Sequence, residues 1–270
     1  MSDLVISPIS SPHIERYRLA LPQALLLSGV SGVGLYTIAS HIAEPHGDIL
    51  TIHPELLTKT STIPQISIEK VRDLYDQTRT RSARGRVIII DNADTMTIPA
   101  QNAFLKLLEE PNESTRFILT SHRPESLLPT IRSRLENQYI SQISRDQTNA
   151  LLDKLPNLTA KKRTQLLFIA EGLPAELYRL TNDEMMFREK ASLIGTAKNL
   201  IEGNSLAKIV TISKEKLTRQ AADTLADQLI ILLSRSPSPS SVKYIDRLLT
   251  ARERIASGGN VKLQLLAAMI

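Results

Sequence analysis

The chain has 270 residues, of which 42% are hydrophobic and 23% charged, and its formal net charge is +5. This composition is that of an ordinary globular protein, so the disordered, collagen-like and membrane-embedded classes are excluded. Cysteine is absent, which excludes a disulfide framework, a cysteine nucleophile and a thiolate metal site.

Short β-branched runs alternate with longer amphipathic stretches in the first half of the chain. The runs predicted as strands are 24–27, 49–52, 87–90, 117–119 and 138–140. The gaps between the first four are long enough to hold helices. Alternating strands and helices indicate a mostly parallel sheet that is covered on both faces.

After residue 144 the strand pattern stops and helical periodicity follows. Helices are predicted at 146–155, 160–170, 175–181, 184–202, 206–212, 214–234, 241–256 and 262–269. Residues 234–241, rich in serine and proline, are interpreted as an extended connector. We therefore predict an α/β domain over 1–144, a small helical lid over 145–182 and an all-α bundle over 183–270.

No segment has the features of an export signal or a membrane span. The N-terminus lacks a basic segment followed by an apolar stretch, and the apolar runs are far shorter than the roughly 20 residues that a bilayer requires. We expect a cytoplasmic protein with no membrane partner.

A glycine-rich turn joins the first predicted strand to the next helix. Gly29, Gly32 and Gly34 reproduce the frame of the phosphate-binding loop G-x-x-x-x-G-K-[ST]. The catalytic side chains of that loop are missing, because Leu35 stands at the lysine position and Tyr36 at the magnesium-binding hydroxyl. We place the start of the helix at residue 37, whose threonine is rotated by about 100° from residue 36 and cannot substitute. The turn is either a vestigial nucleotide site or a turn without a ligand.

An acid follows the buried strand 87–90. Asp91 stands where P-loop proteins hold magnesium. ATPases of the AAA+ type usually carry a glutamate next, which acts on the attacking water, whereas this chain has Asn92. Leu35, Tyr36 and Asn92 each lack the charge or oxygen that hydrolysis needs. The pattern therefore indicates a site that does not hydrolyse nucleotide.

Three ordered motifs resemble one family. They are IDNADTM at 90–96, QNAFLKLLEEP at 101–111 and LLPTIRSR at 127–134. Together they resemble the clamp-loader subunits of bacterial DNA polymerase III, most closely the delta-prime type, with gamma/tau as near relatives. Residues 260–266 resemble the last collar helix of that family. The resemblance implies an AAA+ P-loop domain with a parallel sheet, a three-helix lid and an all-α C-terminal collar that holds subunits together.

The resemblance also implies partners and roles. The chain would join gamma/tau and delta subunits in a hetero-oligomer of the DNA polymerase III holoenzyme that opens the sliding clamp and places it on primer–template DNA. Ser133 and Arg134 match the family's serine–arginine pair, so Arg134 would project into the ATP site of a neighbouring subunit. Gly29, Gly32, Gly34 and Asp91 would be remnants of the chain's own nucleotide site, and weak binding of ATP or ADP stays open.

Two further segments bear on these roles. A helix is predicted to start at Thr97 and Pro99, with Phe104, Leu105 and Leu108 on its buried side and Ala103 and Leu107 on the other. Glu109 and Glu110 end this helix, where the helix dipole disfavours negative charge by roughly 0.3 to 1 kcal/mol. They pair either with basic groups such as Lys106 or with a neighbouring subunit.

The lid region carries a charge of the wrong sign. Hydrolysing relatives place a second phosphate-sensing arginine near residues 172–176, where this chain has Glu176. Thr120 and Ser121 resemble the first sensor position, and we interpret them as strand-end hydroxyls with internal partners.

The chain departs from the family at its usual zinc module. Residues 43–48 connect a helix directly to a strand, without the four cysteines of that module. His41, His46 and His53 are close in sequence, but we expect strand, loop and helix to separate them. We predict no zinc and no other metal.

Basic residues precede the third strand. Arg79, Arg81, Arg84 and Arg86 are not interleaved with aromatic residues, so base stacking is not indicated. The cluster is either solvated charge or a contact to the phosphate backbone.

Two other functions remain open from sequence. One is an ATP-hydrolysing gamma/tau-type subunit or other P-loop NTPase that tolerates the altered loop. The other is a DNA-binding regulator built on an inactive AAA+ core, which would bind DNA without partners and with strong salt dependence.

Overall fold

The computed structural model describes residues 4–58, 61, 63–79, 84–110, 114–155, 158–214, 217–235 and 237–270. The chain divides into two compact units, Met1–Arg179 and Leu180–Ile270. The division falls inside one helix, and the helices that follow the sheet up to that point belong to the first unit. The three-domain boundaries at 144 and 182 stay predictions.

The first unit is built on a sheet of five parallel strands. They are β1 (Ala24–Ser28), β2 (Asp48–Ile52), β3 (Arg86–Ile90), β4 (Thr115–Ser121) and β5 (Glu136–Tyr139). Their spatial order is β2-β3-β4-β1-β5. All five predicted strands are confirmed, with ends that shift by at most two residues, and so is the parallel α/β class.

Among the described residues, eight α-helices accompany the sheet up to the boundary between the two units. They are α1 (Ser11–Leu19), α2 (Leu35–Ala43), α3 (Ile68–Arg79), α4 (Ile98–Glu109), α5 (Pro129–Arg132), α6 (Arg145–Asp153), α7 (Ala160–Ala170) and α8 (Pro174–Asn182). Helix α1, whose Ile14 and Tyr17 are buried, was not predicted from the sequence. The predicted start of α2 was two residues late, since that helix begins at Leu35 rather than Thr37.

Each face of the sheet carries its own hydrophobic core. Leu26 and Ile88 pack with residues of α3 and α4 on one face, whereas Leu25 and Ile89 pack with residues of α1 and α2 on the other. Successive side chains of a strand point to opposite faces, so the continuous apolar runs of β1 and β3 are buried on both sides. Parallel strands place the residues that follow β1, β3 and β4 along one edge of the sheet.

Helix α4 is capped as predicted, but its buried face differs from the predicted one. The Thr97 hydroxyl accepts a hydrogen bond from the Ala100 N–H at 3.3 Å. Phe104 and Leu107 are buried, whereas Leu105 and Leu108 are only partly buried. The prediction that Leu107 faces away from the core is therefore wrong, because Leu107 lies one turn from Phe104 and shares its face.

The second unit is entirely helical in its described residues. Its helices are α9 (Glu184–Glu202), α10 (Ser205–Lys214), α11 (Arg219–Ser234), α12 (Pro239–Ala256) and α13 (Val261–Met269). Leu200, Leu229, Leu248 and Leu265 belong to its core. The connector predicted at 234–241 is shorter in the structure, because Pro239 begins α12 and Ser238 caps it through the Ser241 N–H. Nowhere in the described part of the chain is a helix both long enough and apolar enough to cross a bilayer.

Candidate functional site

The glycine-rich turn, residues 29–36, adopts the backbone that its glycines predict. Gly32 and Gly34 have φ values of +94° and +92°, in the left-handed region that favours glycine. A Cβ on Gly29 would lie 2.8 Å from the carbonyl oxygen of Ile140. The tight strand-to-helix turn is thus kept, with Gly34 at the start of α2.

The two altered positions of this loop have different surroundings. Leu35 is only 3% exposed and packs with Val33 and Ile38 in the core beneath α2. Tyr36 is half-exposed, and its ring lies 5.1 Å from that of His53. No charged or hydroxyl group therefore extends from residue 35, where a phosphate-binding loop has its ammonium group.

Asp91 is held by neighbours from three strand ends. Its Oδ1 accepts a hydrogen bond of 2.7 Å from the Thr120 hydroxyl. Its Oδ2 lies 3.2 Å from His53 Nδ1 and 3.4 Å from Asn92 Nδ2. The Asn92 N–H in turn donates to the Thr120 oxygen at 2.9 Å. Both carboxylate oxygens are thus used inside the protein, at the edge where a nucleotide-bound magnesium would lie in a working P-loop protein.

The neighbouring hydroxyl also has internal partners. Ser121 donates to Asp94 at 3.1 Å and accepts from the Arg123 N–H at 3.1 Å. Asn92 has φ of +50°, a left-handed conformation that asparagine tolerates better than most residues. These contacts agree with the interpretation of Thr120 and Ser121 as strand-end hydroxyls with partners in the chain.

Helix α8 packs directly against the loop. The N–H groups of Ala175 and Glu176 donate to the carbonyl oxygen of Gly32 at 3.0 and 3.3 Å. A Cβ on Gly32 would lie 2.9 Å from the Glu176 Cβ. Glu176 is buried, and its carboxylate accepts a hydrogen bond of 3.0 Å from Arg179. The first turn of α8 therefore contacts the loop itself. Its acid, Glu176, carries a negative charge as a phosphate does.

Arg134 lies at the surface of the first unit, one residue beyond the C-cap of α5. Its side chain is 40% exposed. One terminal nitrogen donates to the carbonyl oxygen of Thr130 at 2.9 Å, and the other donates to Glu109 at 2.8 Å. Of the two alternatives left open from sequence, Glu109 thus pairs with a basic group of its own chain, and that group is Arg134.

A buried glutamine joins α4 to the segment that carries Arg134. Gln101 is 2% exposed, and its amide donates to the carbonyl oxygens of Met96 at 3.2 Å and Ser126 at 3.3 Å. Its own oxygen accepts from the Leu128 N–H at 2.8 Å. Because α5 begins directly after Leu128, these bonds fix the backbone of α5 on α4.

The three histidines near the missing zinc module have separate partners. Arg18 lies against His41, and burial together with this cation lowers the pKa of His41. His46 contacts the carbonyl oxygen of Tyr17 at 2.8 Å, and His53 contacts Asp91. Among the residues that the structure describes, no group of three or more metal-binding side chains is assembled.

Only part of the basic cluster 79–86 belongs to the described residues. Arg84 is exposed, and Arg86 donates to the carbonyl oxygen of Gln77. Arg81 and the side chain of Arg79 lie outside the described residues. A phosphate-contacting role for the cluster stays a prediction.

Sequence reasoning did not predict two contacts of these sites. His53 follows β2 and is 38 positions from Asp91, and Glu109 is 25 positions from Arg134. The parallel order of β2 and β3 gives a signal for the first, since residues that follow adjacent strands lie at one edge. We see no local pattern that would have identified the second.

Comparisons with known proteins agree with the motifs. A family model described as "DNA polymerase III, delta subunit" matches residues 42–144. A Pseudomonas aeruginosa protein named "DNA polymerase III subunit delta'" is 29% identical over 207 residues, covering 66% of this chain and 61% of that protein. A Yersinia pestis protein of the same name is 34% identical over 145 residues, covering 49% and 42%. The predicted resemblance to delta-prime clamp-loader subunits is thereby confirmed.

A solved structure supports the fold. A gamma subunit-related DNA polymerase III protein from Thermotoga maritima has a TM-score of 0.50 and 19% sequence identity, covering 96% of both chains. At this identity the likeness concerns the fold alone. The chain spans less than two thirds of the length of the two relatives named above.

Proposed function

We propose that this chain is a non-hydrolysing, delta-prime-like subunit of the bacterial replicative clamp loader and that Arg134 completes the ATP site of a neighbouring subunit. In this role it joins gamma/tau-type and delta-type subunits that load a sliding clamp onto primer–template DNA. One contrast carries the proposal: Leu35 is buried at the lysine position of the chain's own loop, whereas the Arg134 guanidinium is at the surface.

The chain's own loop supports the absence of hydrolysis. Phosphoryl transfer in P-loop proteins relies on a lysine at the β and γ phosphates and on magnesium held by a hydroxyl and an acid. Here Leu35 is part of the core, and both oxygens of Asp91 have partners within the chain. Helix N-termini commonly bind anions, but the N–H groups at the start of α8 donate to the carbonyl oxygen of Gly32 in the loop. We propose that the chain uses no nucleotide and no metal of its own.

Arg134 has the properties of a residue that acts in trans. Its guanidinium has five N–H donors, and the two hydrogen bonds to Thr130 and Glu109 leave three donors without a partner among the described residues. A planar, permanently charged fork neutralises phosphate oxygens as charge develops during transfer. An arginine supplied across an interface is worth about 10³- to 10⁵-fold in rate in related phosphoryl transfers.

Reconstitution with the ATPase subunits tests this proposal. The purified chain is assembled with gamma/tau-type and delta-type partners, and DNA-stimulated ATP hydrolysis is measured for wild type, Arg134→Ala and Arg132→Ala. Arg132 is the matched control, because it is exposed and lies two residues away on α5. We expect Arg134→Ala to abolish hydrolysis at the affected partner site while assembly persists, and Arg132→Ala to have little effect.

Other outcomes would favour the alternatives. Equal rates for wild type and Arg134→Ala would refute the role in trans. Saturable hydrolysis by the isolated chain would identify a P-loop ATPase that tolerates Leu35. Tight, salt-sensitive DNA binding by the isolated chain would identify a DNA-binding regulator.

A further inference from the structure

Glu109 occupies an electrostatically unfavourable position in α4. It is the last residue of that helix and is exposed. A carboxylate at this end is repelled by the partial negative charge of the helix C-terminus. Its neighbour Glu110 adds a second negative charge at the C-cap. A nearby cation offsets this repulsion, and the structure provides Arg134 from a segment 25 residues further along the chain.

The contact with Glu109 fixes the direction of the guanidinium. Thr130 binds one terminal nitrogen of Arg134, and Glu109 binds the other, at 2.9 and 2.8 Å. A guanidinium held at both terminal nitrogens has a defined plane, whereas a single contact leaves the long side chain free to rotate about several bonds. The backbone N–H of Arg134 also donates to the carbonyl oxygen of Ile131 at 2.9 Å, so the backbone at this position is bonded to α5.

Stability alone does not account for the pair. Arg134 is 40% exposed and Glu109 is 51% exposed, and ion pairs this open to water contribute little to folding. Gln101 already fixes the segment that leads into α5 on α4, through its hydrogen bonds with Ser126 and Leu128. The ion pair therefore adds orientation of one side chain to an arrangement whose backbone is already set.

We propose that Glu109 is a positioning residue that holds the Arg134 guanidinium in the orientation needed at the neighbouring subunit's ATP. This inference rests on the proposed role of Arg134 in trans and adds a second residue to it. Helix α4 then positions Arg134 in two ways: Gln101 fixes the backbone of its segment, and Glu109 fixes its guanidinium. Glu109 itself contacts no nucleotide and acts only through Arg134.

Steady-state kinetics of the reconstituted complex test this proposal. The variants are Glu109→Ala, which removes charge and acceptor, Glu109→Gln, which keeps a neutral acceptor, and Arg134→Ala, alone and combined with Glu109→Ala. Glu110→Ala is the matched control, because it removes the same charge from the same helix end. The Glu110 carboxylate acts on Tyr75, whose pKa is raised by burial and then by this charge.

The expected result separates positioning from binding. Glu109→Ala lowers kcat about three- to tenfold and changes the KM for ATP less than about twofold, because a misplaced group weakens the transition state more than the ground state. Glu109→Gln falls between Glu109→Ala and wild type, and Glu110→Ala stays within about twofold of wild type. Glu109→Ala causes no further loss in the Arg134→Ala background, since the two residues act as one unit.

Salt provides an independent readout. The wild-type advantage over Glu109→Ala shrinks as ionic strength rises, because an exposed ion pair is screened. Unchanged thermal unfolding and assembly of Glu109→Ala verify that the variant is folded.

Three results would overturn the proposal. The first is a Glu109→Ala rate equal to wild type, and the second is an additive loss in the double variant. The third is a Glu109→Ala rate above wild type, which would mean that the carboxylate restrains Arg134. If Arg134→Ala lowers the rate and Glu109→Ala does not, only the positioning role is lost. If Arg134→Ala has no effect, the proposed role in trans fails first and the positioning role fails with it.

Discussion

The nucleotide-loop region, residues 29–36 with Asp91, and the arginine edge, Arg134 with Thr130 and Glu109, belong to one domain and differ in where their polar groups point. In the loop region the polar groups bind one another: Asp91 is bonded on both oxygens, and the loop carbonyl of Gly32 accepts two N–H groups from α8. At the arginine edge a permanent cation lies half in solvent with donors to spare. Under the proposed function, the first region no longer serves a nucleotide, whereas the second still presents a cation to a neighbouring subunit.

The largest effect that separates the two regions concerns Leu35. Restoring the loop lysine with Leu35→Lys is expected to lower the free energy of unfolding by about 3 kcal/mol or more, because it places an unpaired charge in an apolar core. The variant is not expected to gain ATP hydrolysis. Urea unfolding and an ATPase assay of the isolated chain measure both effects.

Leu35→Met serves as the control for this substitution. It conserves volume and polarity, so we expect less than about 1.5 kcal/mol of destabilisation. A stable Leu35→Lys variant that hydrolyses ATP would show that the loop region is intact apart from one side chain, and the comparison between the two regions would fail.

A smaller effect is expected for Thr120. Thr120→Val removes the hydroxyl that donates to Asp91 and accepts from the Asn92 N–H, and it leaves these groups without their buried partner. We expect a loss of about 1 to 3 kcal/mol in the free energy of unfolding, measured by chemical denaturation.

The same substitution at the arginine edge provides the matched comparison. Thr130 is exposed, and only its backbone oxygen binds Arg134, so Thr130→Val should change stability by no more than about 0.5 kcal/mol. Equal losses at the two threonines would mean that the Asp91 network contributes nothing to folding.

A small effect on stability is also expected for Arg134 itself. Arg134→Ala removes an ion pair between half-exposed side chains, so the free energy of unfolding should fall by less than about 1 kcal/mol. Thermal unfolding of the isolated chain measures this change. A larger loss would mean that Arg134 stabilises the fold, and its position at the surface would then no longer indicate a functional role.

Much of the fold could be predicted because its signals are local. Strands β1 and β3 are continuous apolar runs, helices α7 and α9 match their predicted bounds, and glycines 32 and 34 are needed for positive φ. Helix α1 was missed because few apolar residues mark it. Leu107 was assigned to the wrong face because seven apolar residues in α4 leave the buried stripe ambiguous.

The candidate sites depended more on contacts that no local pattern reveals. The sequence predicted the altered loop, Asp91 and Arg134 as candidate residues, since each belongs to a motif. It did not identify the bonds that close the loop region, because His53 and Asp91 meet only when β2 pairs with β3. Glu109 was predicted to pair either with a nearby basic group or with a neighbouring subunit. Its partner Arg134 was not named, because only the packing of α5 on α4 brings that residue within reach.

One paired measurement tests the central claim most directly. Asp91→Asn and Arg134→Ala are introduced separately into this chain, each variant is assembled with the same partner ATPase subunits, and DNA-stimulated ATP hydrolysis is compared with wild type. We predict that Asp91→Asn leaves the rate unchanged, because the chain's own loop takes no part, and that Arg134→Ala removes hydrolysis at one partner site. The opposite result, a loss with Asp91→Asn and none with Arg134→Ala, would contradict the account.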